Sequence, residues 1–505
     1  MKRKIVIIHP EGNIFNNPNL YEIILFLSIH FDLHILLPEL EINRKYKKNN
    51  FTYKIIEYSD IYNNENLILE ENLLLDFIKR YSLGQYDFVI GIDRIGIFLA
   101  YAINCFYDTK YGFISYELFF ENETSKEFKS IEKLACIDIE FAIVQDKQRG
   151  LNLQQENNIP FEKMLYIPVA GSTKYKYKKS YFVYDILNID YKKKMLIYTG
   201  SIASWSCFKE IFEKAVIPEN WVLVIHDRYG SSFEKLNKIV KKLPDNVYFL
   251  DIELCSNRDM YKILHSADLG LALYCPNYIS PYTGKNILDI GLSSGKISTY
   301  LQNGLPIVTT YNEILSSYMQ KYSIGYMLHS ITELESILLK HKSKEMYHKD
   351  SLIFFESVLS LKNYEKSFLF KIKQALKPNT EIKQDSFEKK RNLFKIFFIK
   401  QKKLDFSKKF NKLFETINNL KQTKCNYIIY GNGTISKTIQ ALIPDKIVGY
   451  VDIADKNNHP KNLKNMKYDK IIISVLGREE VIIKYLVEEL GINRNKIVTL
   501  ELGNE

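Results

Sequence analysis

At 505 residues, 46% apolar and 26% charged, the chain has the composition of a folded protein and is too long for a single core. Its formal net charge of +11 is uneven: residues 379–424 carry 13 Lys/Arg against 5 Asp/Glu and leave the remainder close to neutral. A nucleic-acid binder with a basic folded domain is thereby excluded, and no apolar run approaches the ~20 residues that a membrane-spanning helix needs.

Met1-Lys-Arg-Lys precedes Ile5–Ile8, an apolar run too short for a secretory signal. The longest apolar candidate, Ile23–Leu37, is interrupted by His30, Asp32 and His34. The six cysteines (Cys105, Cys136, Cys207, Cys255, Cys275, Cys425) form no Cys-x-x-Cys pair and lie beside apolar runs, as buried free thiols do. A cytoplasmic protein is expected.

In chain order, Ile5–His9, Leu33–Leu37, Tyr53–Tyr58, Phe88–Ile92, Tyr111–Ser115 and Phe141–Gln145 are apolar at nearly every position. Continuous apolar strands are what a parallel sheet covered on both faces requires. Asn19–His30 and Ser125–Ile139 are long enough to be crossover helices, so residues 1–180 read as a doubly wound α/β domain. The pattern restarts after a Tyr/Lys-rich connection with Met195–Thr199, Trp221–His226, Val247–Leu250, Leu269–Tyr274 and Pro306–Thr310. This second α/β domain, residues 181–378, ends on a helical stretch, Ser351–Leu376, before Pro378. Two such domains in succession make a cleft at the C-terminal ends of their strands, where ligands of open α/β sheets bind.

Residues 379–424 read as a basic helical linker with Phe406, Phe410, Leu413, Phe414, Ile417 and Leu420 on one face. Lysines 402, 403, 408, 409 and 412 flank that face, which suits either an anionic inner-membrane surface or packing on a neighbouring domain. Residues 425–505 form a third, smaller α/β unit with strands Tyr427–Tyr430, Ile447–Val451, Lys470–Val475 and Lys496–Leu500. Its glycine turn at Gly431 and Gly433, with Asp452 ending the next strand, has the layout of a dinucleotide fingerprint in which Ser436 replaces the third glycine.

The most informative string is Gly291-Leu-Ser293-Ser294-Gly295-Lys296-Ile-Ser-Thr299-Tyr300-Leu-Gln-Asn-Gly304-Leu-Pro306-Ile-Val308. Ser293, Ser294 and Gly295 open a short helix with Lys296 in its first turn, and Asn303-Gly304 closes it. Free N–H groups, the positive helix end and a lysine together suit a diphosphate. Taken whole, the string resembles the donor-binding segment of retaining GT-B glycosyltransferases, in which a lysine begins a helix with Glu-Tyr-Leu that ends in Gly-x-Pro-Val. The family's glutamate falls at Thr299, and its companion acidic position eight residues earlier falls at Gly291.

The resemblance implies a GT-B fold with a first, acceptor domain and a second, donor domain, followed here by the linker and the third Rossmann-like domain. Gly200 and Ser201, after the first strand of the second domain, then lie against the donor phosphates; His226 and Arg228 end the next strand on the same side. Gly12 and Asn13 form the acceptor-side loop. Glu117 and His9, both at strand ends, join Lys296 and Arg228 as candidate catalytic groups. Neither Asp138-x-Glu140 nor Asp251-x-Glu253 resembles a metal-binding Asp-x-Asp, so no metal is expected.

The function implied is transfer of a sugar from a UDP-, GDP- or dTDP-sugar to a hydroxyl of a glycan or lipid-linked acceptor in bacterial surface-glycan assembly, with no cofactor required. Two other readings stay open. One is an NAD(P)-dependent sugar-modifying oxidoreductase or epimerase that uses Gly431, Gly433 and Asp452. The other is an inactive sugar-nucleotide-binding scaffold, suggested by Thr299.

Overall fold

A computed structural model describes residues 2–10, 14, 17–39, 53–59, 62, 67–68, 70–226, 244–252, 257–342, 345–377, 391–395, 398, 412–475 and 478–500. The chain divides into two compact units, Met1–Arg391 and Asn392–Glu505.

The first unit holds two parallel sheets. The first sheet contains β1 (Lys4–Ile8), β2 (Asp32–Pro38), β3 (Tyr53–Tyr58), β4 (Phe88–Ile92), β5 (Lys110–Ile114), β6 (Ala142–Val144) and β7 (Met164–Tyr166) in the order β3-β2-β1-β4-β5-β6-β7. Strands β8 (Lys194–Thr199), β9 (Trp221–His226), β10 (Val247–Leu250), β11 (Leu269–Ala272), β12 (Ile307–Thr310) and β13 (Gly325–Leu328) make the second, ordered β10-β9-β8-β11-β12-β13. Each order reverses beside its first strand, which opens a crevice at the C-terminal strand ends. The apolar runs of the sequence account for every strand but β7 and β13. These two are edge strands of three and four residues with mostly half-buried side chains, too short to stand out in the sequence.

Central strands are buried on both faces: Ile5, Ile7, Phe88 and Ile90 lie in one core, and Val222 and Leu223 in cores on opposite faces of the second sheet. The helical stretch expected to close the second domain is divided between the two. Phe354, Phe355 and Leu359 pack in the second domain, whereas Leu361, Phe368, Ile372 and Ala375 return to the core of the first. Where the chain recrosses, the Leu361 N–H donates to the Gly171 carbonyl (3.3 Å) and Ser360 Oγ to the Ser172 carbonyl (2.9 Å). The outbound and return crossings therefore run side by side.

The cysteine expectation needs one correction. Cys207 and Cys275 form a disulfide with Cα atoms 5.5 Å apart, because the loops after the adjacent strands β8 and β11 adjoin. Cys105 and Cys136 are free and buried, Cys425 is free and half-buried, and Cys255 lies outside the described residues. Scattered cysteine spacing thus carries no argument for a reducing compartment here. Among the described residues no helix is long and apolar enough to cross a membrane.

The second unit contains a four-stranded parallel sheet of β14 (Tyr427–Tyr430), β15 (Ile447–Val451), β16 (Lys470–Ile473) and β17 (Ile497–Thr499), ordered β15-β14-β16-β17. A helix over 412–422 lies on one face of it. Leu413, Ile417 and Leu420 join Tyr427, Ile429, Ile439 and Ile472 in the core, while Phe414 is 40% exposed. The apolar face expected to meet a membrane or a neighbouring domain is, in this half, spent on the third domain's own core. Phe406 and Phe410, with lysines 402, 403, 408 and 409, lie outside the described residues.

Candidate active site

The helix Gly295–Gln302 begins as its sequence predicts, with Ser294 as the cap whose hydroxyl accepts from the Ile297 N–H (3.0 Å). Tyr274 hydrogen-bonds the same hydroxyl. The Tyr300 hydroxyl accepts from the Thr199 N–H (2.9 Å) and donates to the Leu271 carbonyl (3.2 Å), which fixes the helix against β8 and β11. Lys296 is thereby held over the end of β8, its Nζ 3.6 Å from the centre of the Tyr198 ring and 5.8 Å from those of Trp205 and Tyr274. Trp205 and Tyr274 are themselves stacked, with centroids 6.0 Å apart.

Gly200 has φ +143°, a conformation open to glycine, and a Cβ there would stand 3.1 Å from Lys296 Cε. Two segments nearly a hundred residues apart, singled out separately in the sequence, are in direct contact. The Gly200 N–H faces the His226 carbonyl (3.4 Å); His226 is fully buried with Nε2 3.2 Å from the Ile252 carbonyl. The Ser201 backbone carbonyl accepts from the Tyr198 hydroxyl (2.7 Å), and Ser293 Oγ donates to the Ile290 carbonyl (2.6 Å). The Thr299 hydroxyl is turned back into its own helix, donating to the Gly295 carbonyl at 2.6 Å. Arg228, Gly12 and Asn13 lie outside the described residues.

The start of the first-domain helix Pro18–His30 meets the start of the second-domain helix: a Cβ on Gly295 would lie 3.8 Å from Pro18 Cδ. Two positive helix ends therefore face one region of the cleft. His9, at the end of β1, is 6% exposed, and burial pushes its pKa down to about 4, so its imidazole is neutral at neutral pH. Its Nδ1 has no hydrogen-bond partner among the described residues.

Glu117 reaches across the domain boundary, where its carboxylate accepts from the Asn286 amide. Its own N–H and that of Tyr116 donate to Asp93 Oδ1 (2.9 and 2.7 Å). The centre of this seam is Arg149, which is fully buried. Its guanidinium donates to Gln145 Oε1 (2.7 Å), the Tyr116 carbonyl (2.6 Å), Asn286 Oδ1 (3.1 Å) and the Asp289 carbonyl (3.2 Å). Burial draws its pKa down from the ordinary arginine value, opposed by the carboxylates of Glu117, Asp146, Asp289 and Asp93. Asp146 caps the helix Lys147–Asn157 and also accepts from the Leu292 N–H (3.0 Å). A Cβ at Gly291, the position where the resemblance has an acid, would meet Asp146 Oδ2 at 2.3 Å. A first-domain carboxylate fills that space. None of Asp146, Arg149, Asn286, Asp93 and Trp205 is among the site residues expected from the sequence.

In the third domain Gly431 has φ +107° and Gly433 caps the helix Thr434–Leu442. Asp452 accepts from the Asn432 N–H (3.0 Å) and the Ala454 N–H (2.9 Å), so its carboxylate braces the turn. Among the described residues no group of three or more His, Cys, Asp or Glu is placed to hold a metal ion.

No protein-family model matches this chain, and no curated protein matches it by sequence. Solved structures do match. HepE from Anabaena, in complex with UDP and glucose, aligns with a TM-score of 0.57 at 10% identity over 74% of this chain and 100% of its own. Sucrose-phosphate synthase from Thermosynechococcus elongatus aligns with 0.58 at 11% identity over 74% and 99%. WaaG, a glycosyltransferase involved in lipopolysaccharide biosynthesis, aligns with 0.50 at 12% identity over 74% and 98%. The fold is GT-B. At these identities the likeness is one of fold, and in a GT-B arrangement the contact of Lys296 with Gly200 lies at the C-terminal strand ends that border the interdomain cleft.

Proposed function

We propose that the protein is a glycosyltransferase that moves a sugar from a nucleoside diphosphate sugar to a hydroxyl acceptor. The observation that carries this reading is the meeting of Lys296, the start of the helix Gly295–Gln302 and the Gly200 turn at the crevice of the second sheet. Breaking the bond from the anomeric carbon to the phosphate oxygen leaves a nucleoside diphosphate with added negative charge. A fixed ammonium and a helix N-terminus stabilise that charge without reorganising. The acceptor oxygen bonds to the anomeric carbon, and its proton passes to a base, for which Glu117 and His9 are the candidates.

UDP-, GDP- and dTDP-sugars are the donors to test, UDP-glucose first, given the UDP and glucose bound in HepE. The acceptor in this reading is a bacterial surface glycan. Attachment to an anionic membrane through 379–424 would have to use residues other than Leu413, Ile417 and Leu420. No divalent cation is required in this reading, so turnover after exhaustive chelation should equal that of untreated enzyme; strict dependence on Mg²⁺ or Mn²⁺ would refute that part. The deciding experiment is a thermal-shift series with nucleotide sugars, since a ligand bound by the native state raises stability by mass action. Release of free sugar or transfer from the stabilising donor supports an enzyme. Binding without turnover identifies a scaffold, and NAD(P) retained through purification identifies the oxidoreductase alternative.

A further inference from the structure

A cavity of about 730 Å³ lies beside the Arg149 seam, walled by both domains of the first unit. Asp93 and Arg94, which open the helix Asp93–Tyr107 after β4, form one side together with Phe119 and Phe128. Tyr278 and Tyr282 of the second domain form the other, and the Phe119 and Tyr282 rings meet edge to face with centroids 5.1 Å apart. We propose that this cavity binds a neutral sugar ring, that of the acceptor; the acceptor role rests on the transferase reading above, whereas the sugar site does not.

The chemistry of the walls selects the ligand. Tyr278 is 59% exposed and Tyr282 45% exposed, and with Phe119 and Phe128 they give the cavity an aromatic wall. A sugar ring presents an apolar C–H face to such rings and hydroxyls to the polar groups between them. Among the described lining residues the one cation is Arg94, and its charge is committed: it lies 3.4 Å from Glu132, donates to Thr124 Oγ1 (2.9 Å) and covers Phe119 at 3.8 Å. Asp93 is taken by the Tyr116 and Glu117 N–H groups, and Glu123 by the Lys285 N–H (3.1 Å). A phosphate or carboxylate would therefore find no uncommitted cation among the described lining residues, which argues against an anionic ligand. Asp93 (φ +51°) and Tyr278 (φ +56°) both hold left-handed backbone at this cavity, the kind of strain that collects at ligand sites. The anionic half of the reaction is thus provided for at Lys296 and the uncharged half here.

The test uses the full chain and saturation-transfer NMR with glucose, galactose, N-acetylglucosamine, maltose and lactose, with glucose 6-phosphate and N-acetylneuraminic acid as anionic controls. UDP affinity is read in parallel by calorimetry. At least one neutral sugar should bind. Tyr282→Ala and Phe128→Ala should each weaken it tenfold or more, Tyr282→Phe should retain it, and UDP affinity should not change. The proposal is overturned if no neutral sugar binds to protein that binds UDP, if the anionic sugars bind better, or if the alanine variants bind as wild type. Sugar binding that depends on Tyr282, with no nucleotide bound, supports the site and removes the transferase reading instead.

Discussion

Lys296 packs its stem against the Gly200 turn and lays its ammonium over the Tyr198 ring, and in the proposed function that ammonium meets the donor diphosphate. Lys296→Ala should weaken nucleoside diphosphate binding by about 1.5–3 kcal/mol, the usual worth of a hydrogen bond to a charged group, which calorimetry reads as roughly ten- to a hundredfold in Kd. Unchanged affinity would show that the lysine is structural. Gly200→Ala tests the same contact from the other side. A methyl group there occupies backbone at φ +143° and presses on Lys296, so thermal stability should fall by about 1–3 kcal/mol and nucleotide binding should weaken with it. At this scale the sequence was informative where a residue's meaning is local. Ser294, Gly295 and Lys296 could be placed because capping chemistry is written in neighbouring residues. Thr299 could not, because whether its hydroxyl faces a ligand or the Gly295 carbonyl is a rotamer choice with no sequence signature.

Among the elements, strands were legible in proportion to their burial. β1, β4 and β8 are runs of five or six residues, apolar at nearly every position because helices cover both faces of a parallel sheet, whereas β7 and β13 are half-buried edges of three and four residues, too short to stand out. The seam between the helix Lys147–Asn157 and the segment 285–292 was not legible, since its partners lie more than a hundred residues apart and pair through carbonyls as well as side chains. Arg149 is its keystone. Arg149→Met should cost about 3–5 kcal/mol, because the Glu117, Asp146 and Asp289 carboxylates lose a buried positive charge; urea unfolding measures it. Arg149→Lys should recover only part of that loss, as one ammonium cannot replace a planar fork that donates to five acceptors. Wild-type stability in the methionine variant would mean that the seam is dispensable.

For the whole molecule, acid should unfold the chain ahead of its carboxylates. Burial holds His9, His265 and His341 down to a pKa of about 4, and lowers His34 and His348 as well. Near pH 6.5 and below, the unfolded chain takes up protons on these imidazoles while the folded chain does not, so stability is full above pH 6.5 and is lost as pH falls toward 4. The urea midpoint at pH 5 should lie below that at pH 7.5, and a flat profile over that interval would count against buried neutral imidazoles. The side-by-side crossings at Gly171–Ser172 and Ser360–Leu361 bear on how such a molecule could be rebuilt. Because the chain leaves the first domain and re-enters it at adjoining points, the second domain is in effect a cassette spliced into its host. A transplant that exchanges residues 173–359 for the corresponding stretch of another GT-B protein need join only two neighbouring seams, while a cut made after residue 375 would carry away Leu361, Phe368 and Ile372 and leave the host's core open.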